Sequence, residues 1–217
     1  MGLGEAGKPK TYLTVSNGKI TMSVKQGEPG AEARKNKLGR EVWEKHYRNV
    51  SGYITNVFEE NHQEYGRSFK VQIEDGEEVY LLQLQENSKY WNHFCQIFPN
   101  INLSQMVTIA PYSFSTPTSG DKNIVGLNVL LNGVKIPNHF IVREYDKTTN
   151  KVTKIEYLNN FPEPGKDLDP DDFKIYGLTV SKFLRKYFQD NIKPIFEKME
   201  KGEPVNTPEP VDDNLPF

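Results

Sequence analysis

Apolar and polar residues alternate in short runs along the first two thirds of the chain, which is the pattern of half-buried β-strands. In the clearest run, the apolar residues Phe69, Val71 and Ile73 occupy the odd positions. We expect these three side chains to face a core, and Lys70 and Gln72 to point outwards. Similar runs predict further strands over residues 12–15, 19–24, 79–84, 106–114, 124–131, 135–145 and 152–157.

Turn residues separate these runs. Asn17 and Gly18 lie between the first two strands and predict an N-terminal β-hairpin. Residues 26–40 are rich in Gly, Lys and Glu and are expected to form a mobile loop. Residues 41–58 predict one long, bent strand, in which Gly52 is a place for a β-bulge or a coil.

Two segments have the apolar spacing of helices instead. Residues 88–98 predict a helix that stops at Pro99, and its aromatic residues are expected to belong to the core. Residues 162–172 are expected to be a loop. An amphipathic helix is predicted over 179–199, where Pro194 should kink or restart it. Its apolar stripe must be buried, either against the rest of the chain or against a second copy of the protein.

The order of these elements predicts a mainly β fold. A meander of three strands, a helix and two further strands is the order of the OB-fold β-barrel, although other small barrels share it. The chain exceeds a minimal barrel, so the N-terminal β-hairpin and the C-terminal amphipathic helix are expected to be extensions of it. The sequence thus predicts one domain over 1–200, followed by a disordered acidic tail over 201–217, which is rich in proline.

Composition narrows the class of protein. The sequence has no apolar run long enough for a membrane helix and no signal peptide, so we expect a cytoplasmic protein. Cys95 is the only cysteine, and the four histidines lack the spacing of a zinc site, so neither a metal nor another cofactor is predicted. No nucleophile–base pair and no phosphate-binding loop is visible, and we therefore expect no enzyme activity.

Charge is distributed unevenly. Residues 8–48 hold ten basic and four acidic side chains, a net charge of +6, whereas residues 203–217 hold four acidic side chains and no basic one. Cations along phosphates and aromatic rings on which bases stack are what single-stranded DNA requires. We expect Trp43, Lys45, Tyr47 and Tyr53 to share one face of the long strand, provided no bulge intervenes. The candidate DNA-binding residues are Arg34, Lys35, Lys37, Arg40, Trp43, Lys45, Tyr47, Arg48, Tyr53, Arg67 and Lys70.

The last six residues are the most specific signal in the sequence. Two acids precede an apolar end, in the order Asp212-Asp213-Asn214-Leu215-Pro216-Phe217. Such a segment offers a partner an aromatic plug together with negative charge that steers the encounter. The candidate partner-binding residues are Asp212, Asp213, Leu215, Pro216 and Phe217.

This segment resembles the C-terminal tip of bacterial and phage single-stranded DNA-binding proteins, which end in acids followed by Ile or Leu, Pro and Phe. The body looks more like a phage-encoded relative with a decorated OB-fold than like the bacterial protein. Asn214 departs from the pattern, since a third acid is usual there. The resemblance implies a protein of the host cytoplasm that coats single-stranded DNA during replication, recombination and repair. It also implies partners among replication proteins, such as a polymerase, helicase, primase or recombination factor, docked through the tip.

Three rival functions fit parts of the sequence. A strand-annealing or recombination mediator would have the same fold but a different function. A metal-dependent nuclease would use Asp171 and Asp172, but negative charge there also favours the start of a helix. A scaffold barrel that does not bind DNA would assemble through its C-terminal helix.

Overall fold

The computed structural model describes residues 8–36, 38–63, 66–115, 123–149, 151–167 and 169–205. It is mainly β, with one large sheet, one small sheet and helices near the middle and the end of the chain. The strands are β1 Lys10–Ser16, β2 Lys19–Val24, β3 Glu32–Lys35, β4 Glu41–Tyr47, β5 Val50–His62, β6 Gly66–Asp75, β7 Glu78–Gln85, β8 Val107–Phe114, β9 Ile124–Leu131, β10 Val134–Lys135, β11 Ile141–Tyr145 and β12 Val152–Tyr157.

The helices are α1 Lys89–Ile97, α2 Pro170–Tyr187 and α3 Lys193–Glu200, with a 3₁₀ turn after α1 and one π-helical turn between α2 and α3. Ser88 caps α1, because its side chain accepts a hydrogen bond from the Trp91 amide. None of the described helices is both long and apolar enough to cross a membrane.

The large sheet has the strand order β10-β9-β8-β5-β6-β7-β1-β2-β4-β3, and β11 and β12 form a separate hairpin. The predicted N-terminal hairpin exists as β1 and β2, but it is part of the sheet instead of an extension of it. β1 pairs in parallel with β7, and Leu13 lies opposite Leu82 in that pairing. Both leucines are buried. Parallel pairing between distant segments leaves no local sequence signal, so the sequence could not reveal this position.

The predicted long strand over 41–58 is interrupted at Arg48 and Asn49, which divide it into β4 and β5. These two strands follow one another in the chain, yet β6, β7, β1 and β2 lie between them in the sheet order. The sheet must therefore curve strongly to bring β4 back beside the start of β5. Over the described residues the strand pairings do not close a barrel.

The predicted loop over 26–40 contains β3, an edge strand that pairs with β4. The predicted strand over 135–145 is likewise divided into β10 and β11, and residues 136–140 between them are not in a strand. β3 and β10 each add to the outer side of a strand that already pairs with another strand, and local alternation does not encode this.

An aromatic cluster joins the sheet to α1 and to the C-terminal helices. Phe69 of β6 stacks on Trp91 of α1 with ring centroids 3.7 Å apart, and Phe188 meets both rings edge-on. All three side chains are buried. The cluster therefore confirms that the aromatic residues of α1 belong to the core.

The C-terminal helix begins nine residues earlier than the predicted Thr179, at Pro170. Asp169 caps it by accepting hydrogen bonds from the amides of Asp171 and Asp172, so these acids do open a helix. The cap and the proline at the first turn outweigh the loop-like composition of residues 162–172. The π turn before α3 precedes Pro194, which restarts the helix as predicted.

The apolar stripe of this helix is covered by the rest of the same chain. Its buried members pack into the main core and are Val180, Leu184, Phe188, Ile192 and Phe196. The exposed apolar residues of α2 are instead Phe173, Ile175 and Leu178.

Gly52 is held where the backbone of β6 approaches β5. Its φ angle is +154°, and a Cβ atom there would lie 2.6 Å from the carbonyl oxygen of Glu74. The irregularity of the strand pairing falls nearby, between Ile54 and Asn56, and not at Gly52 itself. Gly52 thus permits the close approach of β6 to β5, whereas the bulge lies two to four residues further along.

We expect Gly52→Ala to lower the free energy of unfolding by about 2 kcal/mol, because it combines backbone strain with overpacking. Gly76→Ala is the matched control, since Gly76 also has a positive φ but no neighbour within 4 Å of the added Cβ. The control should cost about 1 kcal/mol or less. Urea unfolding of the two variants measures the difference, and equal losses would refute the close approach at Gly52.

Candidate nucleic-acid interface

Residues that lie directly opposite each other in an antiparallel pair share one face of the sheet. Along β4, Tyr47 lies opposite Ile20 and Lys45 lies opposite Met22. Trp43 is opposite both Val24 of β2 and Ala33 of β3. Lys35 of the edge strand β3 faces the same side of the sheet as Ala33. We call this surface the β4 face and define it by Lys35, Trp43, Lys45 and Tyr47.

Tyr53 lies on the other face of the sheet, contrary to the prediction. Its neighbour Ile54 is buried in the core, as is Ile20 opposite Tyr47. Tyr47 and Ile54 therefore face the same side, and Tyr53 points away from it. The break at Arg48 and Asn49 causes this, because it shifts the alternation of side chains by one residue.

Two of the predicted cations near β4 are paired with acids. Arg34 donates from Nε and Nη2 to the two carboxylate oxygens of Glu44, at 2.7 and 2.6 Å. The hydrogen bond to this buried carboxylate raises the pKa of Arg34. Lys45 Nζ lies 3.1 Å from a Glu28 carboxylate oxygen. The pKa of Glu28 is lowered, first by a hydrogen bond from the Lys25 amide and then by Lys45.

The cations predicted on β6 are also paired. Arg67 Nε lies 2.8 Å from a Glu59 carboxylate oxygen, and its Nη1 lies 3.6 Å from Glu86. Lys70 was expected to point outwards but is only 6% exposed. Its Nζ contacts Glu60 at 2.6 Å and lies 4.9 Å from the centre of the Tyr12 ring. An ammonium can be buried where a carboxylate and an aromatic face replace water, which explains the difference.

Three of the predicted cations are exposed and form no ion pair within the described part of the chain. They are Lys35 on β3, Arg40 in the β3–β4 turn and Arg48 in the break after β4. Lys37 lies outside the described residues, as do the predicted partner-binding residues Asp212, Asp213, Leu215, Pro216 and Phe217. The exposed cations flank the β4 face at both ends of the strand.

A cavity of about 450 Å³ opens beside Tyr47, between β1, β2, β5 and β7. Asp75 and Glu78 line one side of it. Tyr80 donates a short hydrogen bond to Glu78, and this bond raises the pKa of Tyr80 to about 12. The carboxylates repel phosphate, so a polyanion on the β4 face would be directed away from the cavity, towards Trp43 and the β3–β4 turn.

A second surface lies where β9 and β10 meet β11, around a cleft of about 310 Å³. We call it the β9–β11 cleft and define it by Tyr112, Lys135, Arg143 and Tyr145. No local sequence pattern indicated this surface. Arg143 and Tyr145 do alternate along a predicted strand, but only the packing of β11 beside β9 shows what they face.

His93 of α1 forms part of the wall of this cleft, and its Nδ1 accepts a hydrogen bond from the Leu127 amide. Gly126 leaves room for it, because a Cβ atom there would lie 2.4 Å from the His93 ring and 2.3 Å from the Tyr112 hydroxyl. Burial lowers the pKa of His93 to about 4, and the positive charges of Arg143, Lys135 and Lys89 act in the same direction.

The lowered pKa of His93 predicts that the folded protein becomes less stable at acidic pH. The unfolded chain takes up the proton at about pH 6.5 and the folded chain only at about 4, so the unfolded state binds more protons in between. Stability is therefore full above about pH 6.5 and declines as the pH falls towards 4. The variant His93→Gln keeps a hydrogen-bond acceptor for the Leu127 amide but has no side chain that titrates in this range. Between pH 7 and 4.5 its free energy of unfolding should therefore fall by about 2 kcal/mol less than that of the wild type. Urea unfolding of both proteins at both pH values measures this difference. Equal losses of stability in the wild type and the variant would contradict the lowered pKa of His93.

The acids of the nuclease hypothesis have structural roles. Asp171 accepts a hydrogen bond from Lys174 Nζ at 2.8 Å, and both Asp171 and Asp172 lie in the first turn of α2. Throughout the described ranges, no three His, Cys, Asp or Glu side chains are grouped so that they could hold a metal ion. The thiol of Cys95 is buried, which raises its pKa.

Comparison of the chain with models of protein families, with curated proteins and with solved structures found no match. The residues and the geometry of the two surfaces are therefore the basis for inferring a function.

Proposed function

We propose that this chain is a single-stranded DNA-binding protein, with the β4 face as its principal contact surface. The observation that carries the proposal is that the aromatic side chains of this face, Trp43 and Tyr47, lie between exposed cations at the two ends of β4 that form no ion pair in the described structure. Such a surface suits a flexible polyanion with accessible bases, since it offers charge for the phosphates and flat rings for the bases.

The fold is compatible with an OB-type body. β4 and β5 together form one long, bent segment, and β6, β7, α1, β8 and β9 then follow in the order of an OB-fold. β5 pairs with both β6 and β8, as the first strand of that fold does with its neighbours. In this proposal the β1–β2 hairpin takes a place in the sheet beside β7.

Phosphates would contact Lys35, Arg40 and Arg48, which lie at the two ends of β4. Each phosphate that a cation neutralises on a single strand releases counterions and contributes about −0.7 to the slope of log affinity against log salt. Lys45 can add a fourth contact if its ion pair with Glu28 opens, which is feasible because the Glu28 side chain is 39% exposed.

Bases would stack on Trp43 and Tyr47, and each stacked base contributes about 1–3 kcal/mol. Trp43 is half-buried and Tyr47 is 41% exposed, so both rings present a surface to solvent. Backbone and stacking contacts of this kind do not read base edges, and we therefore propose binding with little sequence preference.

The acidic segment Asp212–Phe217 supports a role in replication, because its sequence resembles the tip through which single-stranded DNA-binding proteins recruit other enzymes. In the proposed function, Leu215, Pro216 and Phe217 enter an apolar pocket of a partner while Asp212 and Asp213 meet its basic rim. The protein would thus protect single strands and hold replication enzymes near them.

The experiment that tests the function is a titration of the full chain with poly(dT), followed by tryptophan fluorescence at two salt concentrations. Trp43 should respond, whereas Trp91 is only 2% exposed and should not. We expect quenching that weakens as salt is raised, and little response to duplex DNA of the same length.

The variant Trp43→Phe serves as the control for the origin of the signal. It should bind poly(dT) with much less quenching, since the remaining tryptophan is in the core. An absence of binding at low salt would overturn the proposed function. Equal affinity for duplex and single strands would overturn the stacking contacts on the β4 face.

A further inference from the structure

The β9–β11 cleft combines positive charge with an absence of acids. Lys135 and Arg143 are exposed, and neither forms an ion pair with another described residue. No Asp or Glu is found among the described residues that line the cleft. The cleft differs in this respect from the cavity beside Tyr47, which Asp75 and Glu78 line. Its electrostatic field favours an anion.

Aromatic rings lie on two sides of the same cleft. On β8, Tyr112 lines the cleft, and Phe114 lies next to it outside the cleft lining, with ring centroids 5.8 Å apart. On β11, Tyr145 is 53% exposed and lies near enough to Tyr112 to affect its pKa, which is raised mainly by burial. The exposed ring of Tyr145 can stack with a planar group, and the half-buried ring of Tyr112 lies on the other side of the cleft.

The size of the cleft restricts what it can hold. A volume of about 310 Å³ lies at the lower end of the range for pockets that bind small organic groups. One planar base with its phosphate is of this scale, whereas a folded partner is not. Cations beside aromatic rings are the combination that a nucleotide of a single strand needs.

The turn between β1 and β2 packs against β8, the strand that carries Tyr112 of the cleft. Gly18 in this turn packs so closely on β8 that an added Cβ would lie 2.3 Å from the Ser113 amide nitrogen and 2.7 Å from the Tyr112 carbonyl carbon. Lys19, the next residue, is exposed and has no ion pair among the described residues. Ile20 follows and lies opposite Tyr47. The β1–β2 turn thus contacts the strand that carries Tyr112, and β2 leads from this turn to the strand that carries Tyr47.

We propose that the β9–β11 cleft is a second subsite for single-stranded DNA, in which a base stacks on Tyr145 and its phosphates contact Arg143 and Lys135. This inference rests on the proposed function, because it extends the path of the same strand beyond the β4 face. The subsite lengthens the stretch of DNA that one copy of the protein covers.

The test is the binding of fluorescein-labelled dT20 by the full chain, measured by anisotropy over a series of salt concentrations. The variant Tyr145→Ala/Arg143→Ala should bind about 10-fold more weakly or worse, and its salt slope should be less steep by about 0.7. Tyr145→Phe keeps the ring and should bind like the wild type. The matched control Phe173→Ala/Lys182→Ala removes an exposed ring and an exposed cation from α2 and should have no effect.

The outcomes separate the two proposals. If the cleft variant binds dT20 with the affinity and salt slope of the wild type, the subsite is refuted while the proposed function stands. If the wild type does not bind dT20, both are refuted. Both substituted side chains are exposed on the β11–β12 hairpin, so a normal melting temperature is expected. Should the double variant fail to fold, Arg143→Gln alone tests the phosphate contact through its salt slope.

Discussion

Reversing the three free charges beside the β4 face should weaken the binding of single-stranded DNA by on the order of 100-fold at ~50 mM salt. The variant combines Lys35→Glu, Arg40→Glu and Arg48→Glu. Each lost phosphate contact removes about 0.7 from the salt slope, so the slope should become less steep by about 2. We expect the loss of affinity to come from these three residues, because Arg34, Arg67 and Lys70 already form ion pairs with carboxylates. Anisotropy of labelled dT20 over a salt series measures both quantities.

The control variant carries the same change in net charge on the C-terminal helices. It combines Lys182→Glu, Lys198→Glu and Lys201→Glu, three exposed lysines that have no ion pair in the described part of the chain. We expect its affinity to stay within a few-fold of the wild type, since screening limits the reach of exposed charges to about 10 Å. Equal losses in the two variants would mean that overall charge controls binding, and that the β4 face is not the site.

The largest effect on stability is expected from Trp91→Ala, which should lower the free energy of unfolding by about 4 kcal/mol. Trp91 contacts Phe69 face to face and Phe188 edge to face, so its removal opens a cavity between the sheet, α1 and the π turn. A loss of this size is a large part of the stability of an ordinary domain. Urea unfolding followed by far-UV circular dichroism measures it.

Phe173→Ala is the matched control for this prediction, because it removes an aromatic ring that is 60% exposed on α2. Its cost should stay within about 0.5 kcal/mol. If Trp91→Ala costs no more than Phe173→Ala, the aromatic cluster does not hold the helices against the sheet, and the packing described for the core is wrong.

Local sequence patterns predicted much of the secondary structure. The strands β9 and β12 have the predicted bounds, and α1 differs from the predicted helix by one residue at each end. Alternation with a period of two and the cap at Ser88 are properties of neighbouring residues, so they can be read from the sequence. The course of the sheet could not be read in this way, because the β1–β7 pairing joins segments about 70 residues apart.

The candidate site depended on tertiary contacts that composition does not contain. The sequence identified the cations near β4, but Arg34 and Lys45 each lie close to an acid that is 10 or 17 residues away in the chain. The two-residue break after Tyr47 turns Tyr53 to the opposite face, so the condition of an unbroken strand is not met. Lys70 followed the pattern of an outward residue, yet Glu60 and Tyr12 enclose it.

The most direct test of the central claim is photo-cross-linking of the full chain to dT20 that contains 4-thiothymidine, followed by mass spectrometry of the linked peptides. We expect cross-links on Trp43 and Tyr47 that are lost when excess unlabelled dT20 is added and kept when excess duplex is added. Cross-links confined to α2 and α3, or none above the level of an unrelated protein, would contradict it.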